Sequence, residues 1–262
     1  MKSFQTAFLF SLTLLFTHTA SAHTNYGGVA RDLGPSAGST PGIITGASVG
    51  TPYFKTINTQ SVTSNFGWAH GTEAAFGDAH DIRAFRFTLA EAGWATIQAT
   101  TAARGSGLAG LLPAFSLYSG LLHTTTGSDY DTAPVTQTYL ATLGNPQPRR
   151  GAFDALHTWK IGNDAGELST LTYVGNAADG TSANFGSAAG INGDGTADGN
   201  VSGSWWLPAG DYTLIVGGGS INGADATGTY GVDVSLTVIP EPSAALLGAV
   251  AGLGLVLRRK RP

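Results

Sequence analysis

The chain of 262 residues contains no cysteine and one methionine, and only 11% of its residues are charged. The first absence excludes a disulfide framework, a cysteine nucleophile and every thiolate metal site, so the fold must rest on its own core. Basic residues are scarcer still where they would matter. Five of the thirteen (Lys2, Arg258, Arg259, Lys260 and Arg261) sit at the two ends, leaving eight against sixteen acidic residues between His23 and Ile239. A body with a net charge of about −8 offers no basic surface for phosphates, which excludes nucleic acid as a partner. No His-Glu-x-x-His pair and no Walker-type phosphate loop occurs.

Long apolar runs are confined to the ends. Lys2 precedes a mostly apolar stretch from Ala7 to Phe16, and Ala20-Ser21-Ala22 follows as an Ala-x-Ala cleavage site. That order reads as a secretory signal peptide over 1–22, with the mature chain starting near His23. At the other end, Pro240 and Pro242 remove two backbone donors and stop any strand arriving from Leu236. From Ala244 to Leu257 the residues are only Ala, Leu, Val and Gly, and fourteen of them make about 21 Å of helix. A bilayer core of about 30 Å is longer, so the span is short unless the arginines snorkel and the bilayer thins. Arg258-Arg259-Lys260-Arg261 then stays cytoplasmic, with the body outside. Gly248 and Gly252 form a small-xxx-small pair along which another helix can approach.

The motif Pro240-Glu241-Pro242-Ser243, a short hydrophobic helix and a terminal basic cluster, in that order, resemble the PEP-CTERM sorting signal of Gram-negative bacteria. The resemblance covers 240–262 and implies recognition by an exosortase, an inner-membrane intermediate, cleavage near the motif, and delivery to the cell surface or an extracellular polysaccharide matrix.

Between these ends the chain reads as all-β with long Gly/Asn/Asp-rich loops. Phe85, Phe87 and Leu89 share one face, with Ala84, Arg86 and Thr88 on the other, and Glu91-Ala92-Gly93 turns into Trp94 to Thr100, which predicts a hairpin. Phe115 and Leu117 alternate with Ala114, Ser116 and Tyr118 after Pro113. Tyr212, Leu214 and Val216 share a face; so do Tyr230, Val232, Val234 and Leu236, with Asp233 and Ser235 turned to water. Strands with one apolar face must bury it on another sheet, so a sandwich is expected, its framework strands spanning about 82–237. Phe85-Arg86-Phe87-Thr88-Leu89, Phe115-Ser116-Leu117-Tyr118, Leu207-Pro208-Ala209-Gly210-Asp211-Tyr212 and Gly228-Thr229-Tyr230-Gly231-Val232 resemble the bacterial pre-peptidase C-terminal domain. That resemblance implies a jelly-roll-like β-sandwich with an accessory or binding role. The 88 residues between Tyr118 and Leu207 exceed what that compact domain needs, and Phe153, Leu156, Trp159, Ile161 and Leu171-Thr172-Tyr173-Val174 predict further packed strands there.

Within that insert, Asn192-Gly193-Asp194-Gly195-Thr196-Ala197-Asp198-Gly199-Asn200 puts oxygen side chains at alternate positions, the spacing of a calcium loop. Ordinary Asx-turn chemistry accounts for the same residues, and Asn192, Asp194 and Asp198 are the candidate ligands should the loop hold Ca²⁺. The sequence departs from an EF-hand at Ala197 and Gly203. His70, Glu73, Asp78, His80 and Asp81 form a second dense group, readable as a divalent-ion site or as a polar loop. Gly34-Pro35-Ser36-Ala37-Gly38 and Gly46-Ala47-Ser48-Val49-Gly50 spell a nucleophile elbow without the helix it needs. Gly105-Ser106-Gly107-Leu108-Ala109-Gly110 spells a dinucleotide pattern that Pro113 cuts short. Trp205 and Trp206 are adjacent, so on a strand one faces inward and the other outward, where it is able to stack on a sugar.

These features assign no catalytic residue. The expected function is that of an exported surface or matrix protein, structural or adhesive in an exopolysaccharide matrix, with signal peptidase and exosortase as processing partners and polysaccharide as the expected surroundings. A carbohydrate-binding module and a secreted hydrolase are the alternatives.

Overall fold

The computed structural model describes residues 23–35, 42–45, 51–69, 75–103, 107–123, 129–143, 153–185, 189–220 and 228–240. The signal peptide with Ala20 and Ala22, the residues Glu241, Pro242 and Ser243, the apolar run and the basic cluster Arg258 to Arg261 lie outside them. Among the described residues, fourteen strands and two helices run in the order β1 (His23–Thr24), β2 (Ile43–Ile44), β3 (Tyr53–Thr63), β4 (Phe76–Gly77), β5 (Arg83–Leu89), β6 (Gly93–Thr101), β7 (Pro113–Ser119), β8 (Asp129–Tyr130), α1 (Pro134–Thr142), β9 (Phe153–Asp154), β10 (Trp159–Gly162), β11 (Leu168–Ala178), α2 (Ser182–Phe185), β12 (Asn200–Leu207), β13 (Gly210–Gly218) and β14 (Thr229–Pro240).

The expected all-β sandwich is what forms. An eight-stranded sheet, β1-β8-β10-β11-β7-β13-β5-β2, faces a four-stranded sheet, β12-β6-β14-β3. Phe85, Phe87, Leu89, Phe115, Leu117, Leu214 and Val216 from the larger sheet meet Ile57, Ala95, Ile97, Val201, Val232, Val234 and Leu236 from the smaller one in a single buried cluster. The period-two patterns of β5, β7, β13 and β14 thus point where alternation requires.

Three expectations change. The first concerns the hairpin: β5 and β6 do not pair, because β5 bonds to β13 in the larger sheet and β6 to β12 and β14 in the smaller one. The turn at Ala90 to Ala92 is an arch across the core. A second arch, Pro208-Ala209 between β12 and β13, lies directly against it, since Leu207 is opposite Gly93 in one sheet and Gly210 opposite Leu89 in the other. Gly210 takes the turn with a φ of 151°, which a side chain would resist, and the Tyr212 hydroxyl closes it by donating to the Pro208 carbonyl at 2.8 Å. Apolar alternation reports which face is buried; both sides of an arch and both sides of a hairpin satisfy it equally.

The second change is that the framework begins before residue 82. β3 pairs with β14 along its length. Its sequence, Tyr-Phe-Lys-Thr-Ile-Asn-Thr-Gln-Ser-Val-Thr, hides the strand because a register shift opposite Val232 and Val234 leaves its buried residues Ile57 and Val62 an odd five apart.

The third is that the far face of the eight-stranded sheet is not a solvent face. Ala84, Ala114, Tyr118, Ile215, Trp159, Leu171 and Ala178 on that face pack with Trp68, Phe153 and Leu156 in a second buried cluster, to which the two-stranded β4-β9 ribbon contributes Phe153. The insert between Tyr118 and Leu207 therefore does two jobs: β8, β10 and β11 widen the sheet, and Phe153 and Leu156 help to cover it. Trp68, in a stretch that reads as loop, is fully buried and its Nε1 donates to Ser116 Oγ at 2.9 Å.

Candidate functional site

The glycine-rich loop after α2 folds back on the end of β11. Gly193 bridges Ala178, Asp194 N donates to the Ala178 carbonyl at 3.1 Å, and Ala178 N donates to the Asn192 carbonyl at 2.9 Å. This return brings the carboxylates of Asp179, Asp194 and Asp198 together, with one oxygen from each lying within 4.8 Å of the others. The three oxygens are close enough to share one cation. Asp194 and Asp198, expected from the alternate spacing, are both there and exposed; Asn192 is turned away, its Nδ2 donating to the Asn176 carbonyl at 3.3 Å. Its place is taken by Asp179, which is fully buried at the end of a strand thirteen residues earlier in the chain than Asn192. No spacing rule points to it, because the contact is made by β11 and not by the loop.

Asp179 also organises the loop. Its two oxygens accept from Asp198 N at 3.0 Å and Gly199 N at 2.7 Å. Burial, reinforced by the neighbouring Asp194 and Asp198 charges, pushes its carboxyl above the ordinary range, while the two backbone donors pull it back. Asp194 Oδ1 accepts from Gly180 N and Thr196 N, both at 3.1 Å, and Asp198 Oδ1 from Asn200 N at 3.0 Å. Turn chemistry and carboxylate clustering coexist in the same loop.

Of the second group, His70 and Glu73 lie outside the described residues. Asp78 and His80 make a local turn, with Asp78 Oδ1 accepting from His80 N at 2.9 Å and 2.7 Å from its Nδ1, while Asp81 Oδ2 accepts from Ser64 Oγ at 3.1 Å. Of the two elbow patterns, Ser36 and Ser48 lie outside the described residues; Gly107 and Leu108 form bridges and Leu111-Leu112 lead into β7, so no helix follows the dinucleotide pattern.

One His, Ser and Asp constellation was not foreseen. His123 Nδ1 lies 2.9 Å from Ser169 Oγ, and that hydroxyl donates in turn to Asp129 Oδ2. The serine stands between imidazole and carboxylate, whereas nucleophilic activation needs the imidazole in the middle. Ser169 and Asp129 are also fully buried, so the arrangement ties β8, β11 and the β7 exit together.

The outer face of the four-stranded sheet carries the other feature. Trp206 on β12 lies opposite Trp94 on β6, which lies opposite Ile239 on β14, and Phe54 on β3 sits diagonally beyond, opposite Thr237. All four are exposed, at 41%, 52%, 54% and 64%. The indoles meet edge to face with centroids 5.9 Å apart. Trp205 points the other way, edge on to Phe115 at 5.9 Å between centroids and close over Gly175 and Gly203. The alternation expected of the Trp pair holds, and Trp94, the partner of Trp206, comes from 112 residues upstream.

No protein-family model and no curated protein matches the chain. Among solved structures it is similar to CorA, a surface-associated copper-binding protein important in copper acquisition in Methylomicrobium album BG8, at 14% identity over 70% of this chain and 94% of that one, with a TM-score of 0.45. It is also similar to the secreted protein MopE of Methylococcus capsulatus, in which an oxidized tryptophan facilitates copper binding, at 16% identity over 84% and 94% of the two chains, with a TM-score of 0.43.

Proposed function

We propose that this chain is an exported protein, sorted through its C-terminal signal to the cell surface or an extracellular polysaccharide matrix, where its body has a structural or adhesive role. The observation that supports this reading most directly is the course of β14. It is an inner strand of the smaller sheet, held by β6 on one side and β3 on the other, and its ladder runs as far as Pro240 opposite Gly93. The Pro-Glu-Pro-Ser motif therefore begins at Pro240, the last residue of the described β14 ladder. A cut beyond Pro240 leaves every described strand of the sandwich intact.

The body is a passenger and not an enzyme; sustained turnover of matrix glycans, esters or peptides by the purified protein would overturn that part. The cation suited to the Asp179, Asp194 and Asp198 group is calcium, since its donors are hard carboxylate oxygens without nitrogen or sulfur.

The test is processing in the native host. Mass spectrometry of the mature chain should find residues 1–22 and everything beyond the motif removed, and Glu241→Ala should accumulate as an inner-membrane precursor. Release of Glu241→Ala at the normal rate, or a mature chain that keeps the basic cluster, would overturn the sorting reading.

A further inference from the structure

The row Trp206, Trp94, Ile239 and Phe54 crosses all four strands of the smaller sheet at one end, and that end is also where β14 leaves for the C-terminus. Only Pro240, Glu241, Pro242 and Ser243 separate Ile239 from the uncharged run that begins at Ala244. Four residues reach about 14 Å at most. A tail held in a bilayer therefore brings this end of the sandwich to the head-group layer, whatever the path of those four residues. Indoles prefer that layer, where an apolar ring body and a polar N–H are both accommodated.

We infer that the exposed tryptophan row is a membrane-resting surface, which seats the body on the outer leaflet of the inner membrane while the precursor waits for processing. This rests on the sorting reading above. Placing four large apolar side chains against a lipid surface also accounts for their exposure in a sheet whose remaining outer face is polar. There Thr96 Oγ1 and Ser204 Oγ lie 2.8 Å apart, and Asn200 Oδ1 accepts from Gln98 Nε2 at 2.6 Å and from Thr100 Oγ1 at 2.9 Å. Those polar groups are bonded to one another beside the tryptophans, which favours a lipid surface over a sugar ring needing its own polar contacts. Orientation matters for the chemistry that follows, because a seated body holds the Pro-Glu-Pro segment at a constant depth in the interface.

The experiment uses the precursor from His23 to Pro262 reconstituted with vesicles of phosphatidylethanolamine and phosphatidylglycerol, with and without bromine on the acyl chains. Flotation reports whether the tail inserts, and bromine quenching of tryptophan emission reports whether the row meets lipid. The expected result is flotation with strong quenching and a blue shift for the wild type, and flotation with loss of most of the quenching for Trp94→Thr/Trp206→Thr. The other three of the five tryptophans are buried or half-buried and act as the internal control, their emission confirming that the variant is folded. Flotation of the wild type without quenching overturns the membrane-resting surface and leaves the sorting reading standing. Failure to float overturns both. Emission of the wild type that responds to added glucan oligosaccharides and not to bromolipid, or a dimer cross-linked through position 206, assigns the row to sugar or to a second copy and likewise overturns the proposal.

Discussion

Asp32 and Arg86 face each other at 3.4 Å, carboxylate to Nε, with both side chains cut off from solvent. The pair is unequal. Asp32 also accepts from Gly34 N at 2.9 Å and Gly42 N at 3.0 Å, whereas Arg86 Nε and Nη2 find no hydrogen-bond acceptor among the described residues and the guanidinium lies 5.2 Å over the Tyr26 ring. Removing the carboxylate strands a buried cation and frees two backbone donors. Asp32→Ala is therefore expected to cost about 3–5 kcal/mol, and Arg86→Met distinctly less, because the aspartate keeps its backbone partners. Urea denaturation of both variants checks the order; equal losses would count against it.

Asp129 gives the protein a pH dependence with a defined sign. Burial raises its carboxyl from 3.8 to about 6, more than the Ser169 hydroxyl and His123 N–H bonds lower it. In the folded chain it thus keeps a proton that the unfolded chain has already lost. The stabilisation from this group is complete below about pH 4 and is lost as pH rises through about 6, by up to about 3 kcal/mol. Asp129→Asn should flatten that part of the stability curve, and should compare better with wild type at pH 8 than at pH 4. Denaturation midpoints across the range decide it, a parallel pair of curves being the contrary result.

Trp205 is held between two glycines. A Cβ at Gly175 would lie 2.3 Å from its Nε1, and one at Gly203 2.2 Å from its Cη2. Gly175→Ala and Gly203→Ala are each expected to destabilise by about 1–3 kcal/mol through overpacking, and Trp205→Ala by about 3–5 kcal/mol through loss of the ring. Trp206→Ala on the exposed side should cost under about 1 kcal/mol. Thermal melts of the four variants test the contrast between neighbours.

Calcium should raise the unfolding midpoint if the three carboxylates bind it together, by about 2.7 kcal/mol when its concentration is a hundred times the Kd. Asp194→Asn and Asp198→Asn keep the turn acceptor but weaken the charge set, so both should lose the response. A wild-type midpoint indifferent to calcium and to chelator would leave the loop to turn chemistry alone.

Much of the framework was legible because burial on one face writes itself into a strand as a period of two. Phe85, Phe87 and Leu89, or Val232, Val234 and Leu236, need no other information to be placed inward. The path between strands was less legible. Leu89 and Gly93 bound a three-residue turn that suits a hairpin, yet the chain crosses to the other sheet there, because the neighbouring arch at Leu207 and Gly210 supplies the pairing partners for both ends. β3 was missed for a related reason: a bulge shifts its inward residues out of phase. Asp194 and Asp198 were found by spacing, and Asp179 was not, since it joins them through a strand.

The sequence by itself determined the all-β class, the inward faces, the acidic body and the composition of the two ends, because these depend on residue type and local period. Tertiary structure alone decided that Trp94 stands against Trp206 beside the exit of β14, that Asp179 completes an acidic group, and that Arg86 is sealed under the second layer. The physical reason is that a strand's sequence states which side seeks cover, while sheet order and register, set by the whole chain at once, select the neighbour that provides it.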